Sequence, residues 1–205
     1  MISKIQYISQ PDSRGSHITN VQKALDAGCT WIQLRIKNKP LDWVYREAES
    51  AKVLCKSYQS RLIINDFIQL AKDLDSDGVH LGLQDGSVTV AREILGWDKI
   101  IGGTANTFDD VVKRSGEQVD YIGLGPYAFT QTKEKLSPIL GLLSYEQILA
   151  QMKVSGINIP IIAIGGIQIK DMRALSKLGI YGFAISGLLN SLSNPEDIFG
   201  MLLKQ

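Results

Sequence analysis

Eight short β-rich runs recur along this chain with helix-like segments between them, and that alternation restricts the fold more than any other feature. The runs are Ile5–Ser9, Trp31–Leu34, Leu62–Ile64, Gly78–Leu81, Ile100–Gly103, Tyr121–Leu124, Ile159–Ile164 and Gly182–Ile185. Between the first two, Ile18, Val21 and Leu25 repeat at helical spacing within Ser16–Ala27, and Gly28 stops the helix. Leu41–Tyr58 shows the same pattern, and Ser87–Leu95 begins on a serine able to cap it. Thr107 opens a further helix as a cap, followed by Asp109 and Asp110, which suit the positive end of the helix dipole. Asp171–Leu178 ends at Gly179, and Asn194-Pro195-Glu196-Asp197 sets a cap, a first-turn proline and acids in sequence.

Strands alternating with helices imply a parallel sheet. Continuous apolar runs such as Ile161-Ile162-Ala163-Ile164 fit strands covered on both faces. Eight repeats predict a single closed (β/α)8 TIM barrel, one domain over residues 1–205, close to the lower size limit of that fold. An open doubly wound sheet is the alternative, weakened in its dinucleotide-binding form because no Gly-x-Gly-x-x-Gly follows the first strand.

A hydrophobic fraction of 44% with 21% charged residues is that of a soluble globular protein with a substantial core. The net charge of +1 gives no global field for nucleic acid or an anionic membrane, so any anion site must be local. The N-terminus lacks a signal pattern and no apolar run approaches membrane-spanning length, which leads to the expectation of a cytoplasmic protein. Cys29 and Cys55 have no metal-ligand neighbours in sequence and read as reduced core thiols. Small molecules are the expected partners; the oligomeric state stays open, a homo-oligomer included.

A barrel places its chemistry on the loops after the strands, and polar residues gather at those positions. Gln33, Arg35 and Lys37 alternate after the second run, so all three can face one side and grip a polyanion. Asn65 and Asp66 follow the third run; His80, Gly82 and Asp85 close the fourth. Two carboxylates on adjacent strand ends suit a Mg²⁺ ion that keeps some water and shares phosphate oxygens. They equally suit a general acid and base, though the nearby cations favour the metal-phosphate reading. Thr104 offers a hydroxyl after the fifth run, within Gly102-Gly103-Thr104-Ala105-Asn106.

The sixth run leads into Gly125-Pro126-Tyr127-Ala128-Phe129-Thr130-Gln131-Thr132-Lys133. Proline lacks the N–H that a sheet ladder needs, so the strand stops there and a loop of two threonines and a lysine follows. Hydroxyls and an ammonium suit phosphate. Gly165-Gly166-Ile167 and Ser186-Gly187-Leu188 follow the last two runs, where barrels commonly hold phosphate with a short extra helix, here Leu188–Ser191. His17 is expected at the surface at a helix start, and His80 as a packed or backbone-bonded ring rather than a catalytic base. No Ser-His-Asp or Cys-His set can be assembled, and Trp31, Trp43 and Trp97 read as core or helix-packing residues.

Taken in order, these stations resemble the thiamine phosphate synthase family. The resemblance rests on Gln33-Leu34-Arg35-Ile36-Lys37, Ile64-Asn65-Asp66, Asp77 to Gly82, Gly125-Pro126 through Lys133, Ala163 to Ile167 and Ile185-Ser186, and so covers most of the chain. It implies a Mg²⁺-dependent transferase of thiamine biosynthesis. Gln33, Arg35, Lys37, Asn65, Thr104 and Lys133 would hold a hydroxymethylpyrimidine diphosphate. Asp66 and Asp85 would ligate Mg²⁺, and Thr130, Thr132, Gly166, Ile185 and Ser186 would hold a thiazole phosphate. Arg35 and Lys133 are the expected catalytic pair, since they face charge growing on the departing diphosphate.

The chain departs from the family pattern at Phe67, where arginine is common, at Gly82-Leu83-Gln84-Asp85, where Gly-Gln-x-Asp is usual, and at Thr104, where serine is common. The alternatives are a thiazole tautomerase-like barrel, a sugar-phosphate isomerase or epimerase, and a non-catalytic phosphate-binding barrel.

Overall fold

The computed structural model describes residues 2–130, 137–192 and 194–196. Thr132, Lys133 and Asp197 lie outside the described residues.

The strands are β1 (Ile5–Ile8), β2 (Trp31–Leu34), β3 (Arg61–Asn65), β4 (Gly78–Leu81), β5 (Ile100–Ala105), β6 (Tyr121–Leu124), β7 (Ile161–Ile164) and β8 (Gly182–Ile185). All pair in parallel with their sequence neighbours, and β8 closes on β1, so the fold is the (β/α)8 barrel and not the open sheet. Helices α1 (Ile18–Asp26), α2 (Leu41–Ser57), α3 (Ile68–Asp73), α4 (Val88–Leu95), α5 (Phe108–Gly116), α6 (Gly141–Val154), α7 (Ile169–Lys177) and α8 (Gly187–Ser191) follow the strands in turn.

Each run identified in the sequence overlaps one strand, with small differences at the ends. β7 starts at Ile161 rather than Ile159, beyond Pro160, which has no N–H for the ladder. The sequence reading named neither α3 nor α6. The first is only 6 residues long, and the second carries apolar residues such as Leu142, Leu143 and Val154 on its exposed side, which blurs the helical period. Thr107 caps α5 as its spacing requires: its hydroxyl accepts from the Asp110 N–H at 3.1 Å, and the Asp110 carboxylate accepts from the Thr107 N–H at 2.9 Å. Ser87 stands at the N-cap of α4 but makes no side-chain cap bond.

Strand alternation divides the core in two. Ile32, Leu34, Leu62, Ile64, Ile122, Leu124, Ala163 and Phe183 face outward into one apolar cluster shared with the helices. Ile8, Trp31, Ile63, Tyr121, Ile162 and Ala184 form a second cluster within the barrel. The inward series continues toward the strands' C-terminal ends through Gln33, Asn65, His80 and Thr104, so an apolar floor underlies a polar layer.

Both cysteines are free and buried, and burial pushes their thiols up, Cys29 to about 11 and Cys55 to about 12. Trp31 is a core residue, whereas Trp97 is 70% exposed and lies over the Arg92 guanidinium, 4.8 Å from its ring centre. The expectation of a packed Trp97 is therefore corrected. Arg92 is the buried partner, tied to Asp120 at 2.9 Å, and the indole only covers its outer face. Among the described residues no helix is long and apolar enough to cross a membrane.

Candidate active site

A cavity of about 440 Å³ opens at the C-terminal ends of the strands. Gln33, Arg35, Lys37, Asn65, Asp66, Asp85, Thr104, Thr130, Gly166, Ile185 and Ser186 all line it, although they come from positions as far apart in the chain as β2 and β8.

On the β2–β4 side, the end of β2 is held from below. Arg35 donates its backbone N–H to the Ser9 hydroxyl at 3.0 Å, and that hydroxyl lies 2.7 Å from His17 Nδ1. His17 does stand at the start of α1, but it is buried, not at the surface. Burial, together with the nearby Arg35 charge, pushes its pKa down to about 4, so the ring is neutral near pH 7.

Beyond β3 the backbone of Asp66 turns into the left-handed region at φ +68°, which aspartate enters more readily than most residues with a side chain. The turn brings its carboxyl against Asp85 and into an ion pair with Lys37. Burial first, and the facing Asp85 second, push Asp66 up to about 6 despite Lys37. Burial acts against the charged form of Asp85 too, but bonds from the Asp66 carboxyl and the Gly82 N–H, the latter at 2.8 Å, bring it below its ordinary value.

Two facing carboxylates form an all-oxygen donor pair of the kind a hard divalent cation prefers. Among the described residues no third Asp, Glu, His or Cys joins them, so water and ligand oxygens would complete the shell of a Mg²⁺ ion. The residues present fit that ion. Asn65 strengthens the fit with an anionic ligand: its side chain is buried on the cavity wall, and its Nδ2 donor has no partner among the described residues.

The opposite side is built from the loop after β6 lying on the end of β7. Tyr127 N–H donates to the Ile164 carbonyl and Ala128 N–H to that of Gly165, each at 2.9 Å. Gly166 must be glycine: its φ is +68°, and a Cβ there would stand 2.7 Å from the Phe129 carbonyl oxygen. Ser186 lines the cavity, but its hydroxyl donates to the Ile8 carbonyl at 2.7 Å and accepts from Gln10 at 2.8 Å. Its side chain thus joins β8 to β1, which leaves the backbone as its free means of holding an anion.

Asn106 is a site-building residue the sequence reading did not single out. Its buried amide donates to the Gly125 carbonyl at 3.0 Å and the Pro138 carbonyl at 2.9 Å, joining the two ends of the β6–α6 connection. Its signal was its position, directly between a strand end and a helix cap.

The comparisons with known proteins bear on what occupies such a cavity. The family model described as thiamine monophosphate synthase matches residues 5–189. The chain belongs to the thiamine monophosphate synthase family. A thiamine-phosphate synthase of Flavobacterium psychrophilum is 50% identical over 205 residues, covering 100% of both chains. Another from Flavobacterium johnsoniae is 50% identical over 202 residues, covering 98% of this chain and 95% of the relative. Among solved structures, thiamine phosphate pyrophosphorylase from Pyrococcus furiosus matches with a TM-score of 0.80 and 28% identity, covering 98% of this chain and 94% of that one. Membership in the thiamine monophosphate synthase family makes this chain an enzyme, a transferase of the thiamine phosphate synthase type.

The departures from the family pattern have local readings. Phe67 packs against the outer core, and Leu83 is 37% exposed. Neither draws Asp85 away from Asp66.

Proposed function

We propose that the cavity performs Mg²⁺-dependent transfer of the hydroxymethylpyrimidine group from its diphosphate to the nitrogen of a hydroxyethylthiazole phosphate, carboxylated or not. Pyrophosphate leaves, together with CO₂ where the acceptor is carboxylated, and thiamine phosphate forms. The observation that carries this reading is the juxtaposition in one cavity of the Asp66–Asp85 pair with Arg35, Lys37 and the open Asn65 amide on one side, and the glycine-seated β6–α6 loop on the other.

Gln33, Arg35, Lys37, Asn65 and Thr104 hold the diphosphate substrate in this reading, with Asp66 and Asp85 as the metal ligands. Mg²⁺ bound there would supply Lewis-acid stabilisation to diphosphate oxygens. Arg35 and Lys37 stabilise the negative charge that grows on the leaving group, joined by Lys133 on the family pattern. Loss of the diphosphate leaves a cation on the pyrimidine methylene, which the electron-rich aminopyrimidine ring stabilises. Thr130, Thr132, Gly166, Ile185 and Ser186 anchor the acceptor's phosphate, so that its ring nitrogen meets that carbon already oriented. Forming this bond needs no general base.

The test is a pyrophosphate-release assay with both precursors and Mg²⁺. Release only when both are present supports the synthase. Turnover of the thiazole phosphate alone, or binding without release, replaces it with the tautomerase-like or non-catalytic barrel.

A further inference from the structure

Gln33 and Thr104, both placed at the diphosphate site, are the two ends of a hydrogen-bonded chain through the barrel interior whose middle members the chemistry above leaves unused. Gln33 Nε2 donates to Gln6 Oε1 at 3.1 Å, and Gln6 Nε2 donates to the Tyr121 hydroxyl at 3.2 Å. That hydroxyl lies 3.0 Å from His80 Nδ1, and His80 Nε2 lies 3.0 Å from Thr104 Oγ1. Gln6, Gln33, Tyr121 and His80 are buried, while Thr104 reaches the cavity. The chain therefore leaves the cavity at Gln33, passes through Gln6 and Tyr121, which do not line it, and returns to it at His80 and Thr104.

Such a chain has a direction. A tyrosine hydroxyl has one proton, and a neutral imidazole has one N–H and one lone pair. With the Gln6 amide donating to the Tyr121 oxygen, the tyrosine proton goes to His80 Nδ1. The imidazole proton then sits on Nε2 and goes to the Thr104 oxygen, so the threonine's own proton points into the cavity. Were both amides turned over, every bond would reverse, and Thr104 would present only lone pairs.

The lining of the cavity selects the first direction. Apart from the Asp66–Asp85 pair assigned to the metal, the charged and open groups on the ligand side, Arg35, Lys37 and the Asn65 Nδ2, are donors, which suits an anion made of acceptors. A lone pair from Thr104 would oppose it. The rings that transmit the direction are also fixed in place. A Cβ at position 102 would stand 2.1 Å from Tyr121 Cζ, and one at position 123 would stand 3.2 Å from His80 Cε1, so glycines there admit the two rings and little else. Trp31 packs edge-on against Tyr121 at 4.9 Å.

We propose that the buried chain Gln33–Gln6–Tyr121–His80 fixes His80 as the Nε2–H tautomer and thereby makes Thr104 an obligate hydrogen-bond donor to the anionic leaving group. Thr104 touches the ligand; His80 and Tyr121 are positioning residues acting through it. The proposal rests on reading the cavity as the diphosphate site.

The direct test is ¹⁵N NMR of the histidine rings in the full-length protein near neutral pH. There are 2 histidines, and the variant His17→Gln assigns them. The expected result is His80 protonated at Nε2 alone; protonation at Nδ1, with or without Nε2, overturns the proposal. In parallel, calorimetry with inorganic pyrophosphate and Mg²⁺ should show Thr104→Val weakening binding roughly ten- to hundredfold. Tyr121→Phe should weaken it in the same sense, and the double variant no further than the worse single one. Wild-type affinity in Thr104→Val, or fully additive losses, overturns it. If Tyr121→Phe does not fold, the wild-type tautomer and Thr104→Val still decide. A protein that releases pyrophosphate from the paired precursors yet shows Nδ1–H refutes the relay alone. One that releases none loses the functional reading and the proposal with it.

Discussion

Lys37 forms an ion pair with Asp66, yet the Asp66 carboxyl is still pushed up to about 6 by burial and by the facing Asp85. The charged form of Asp66 is thus held at a cost in the folded protein without a metal. Its ordinary value of 3.8 applies in the unfolded chain, so between pH 3.8 and about 6 the folded state binds more protons, and stability falls as pH rises through that window. Asp66→Asn keeps the shape without the charge. It should raise metal-free stability by roughly 1–2 kcal/mol at pH 7.5 and by little at pH 4, as read by denaturant titration. The same variant should lose activity by roughly a hundredfold or more, the usual cost of removing a group that stabilises leaving-group charge.

Metal binding should report the same carboxyl. An ion bound by Asp66 and Asp85 must displace the proton that Asp66 holds below about pH 6. Mg²⁺ affinity, measured with pyrophosphate present, should fall steeply between pH 7 and pH 5.5. Titrations in two buffers of different ionisation enthalpy should show proton release in that range. An affinity flat across it argues against these ligands.

His17 acts in the opposite sense. Its pKa of about 4 in the folded protein lies below the ordinary 6.5 of the unfolded chain, so the unfolded state takes up the proton first as pH falls. Stability is full above pH 6.5 and is lost between 6.5 and about 4, by on the order of 2 kcal/mol. Because Asp66 gains stability over an overlapping range, the wild-type profile should look flatter than either effect. His17→Gln should remove the acid loss, and its denaturant midpoints at pH 7.5 and pH 5 should differ less than those of the wild type. It also removes the ring that hydrogen-bonds the Ser9 hydroxyl beneath Arg35, which should raise the KM for the diphosphate substrate.

The barrel was legible because strand and helix signals alternate eight times, and the cavity residues because a barrel fixes where strand ends meet. Local pattern could not reveal long-range contacts. His17 stands in a helix-start sequence that reads as surface, yet Ser9 after β1 and Trp43 on α2 enclose it. Gln6 looks like an ordinary polar residue in a strand until closure of β1 against β2 and β8 turns it inward. The Ser186 hydroxyl reads as a phosphate ligand from its position after β8, but its partner Ile8 lies 178 residues away. Residue type and spacing told which side chains share the rim, not which polar atoms were already satisfied.

Gly166 separates the two halves of the site experimentally. Alanine there would have to hold φ +68° with its Cβ 2.7 Å from the Phe129 carbonyl oxygen, so the β6–α6 loop would have to lift. Gly166→Ala should cost roughly 1–3 kcal/mol of stability and raise the KM for the thiazole phosphate at least tenfold. The KM for the pyrimidine diphosphate should change little, because Asp66, Asp85 and Asn65 belong to the other side. Steady-state kinetics varying each substrate separately would detect equal effects on both, the outcome that sinks the division.

Asn106 tests whether the β6–α6 connection must be held at both ends. Its amide spans the Gly125 and Pro138 carbonyls from a buried position, so Asn106→Ala removes two hydrogen bonds and leaves two carbonyls to find water. The expected stability loss is about 1–3 kcal/mol. Asn106→Asp keeps the size but replaces the donating amide with a carboxylate that faces both carbonyls, so it should be no better than alanine. If the clamp serves the site and not only the fold, both variants should raise the thiazole phosphate KM at temperatures well below their melting points. Protease sensitivity between Gly125 and Pro138 should rise in parallel. Wild-type kinetics with a lowered melting temperature would reduce Asn106 to a purely structural residue.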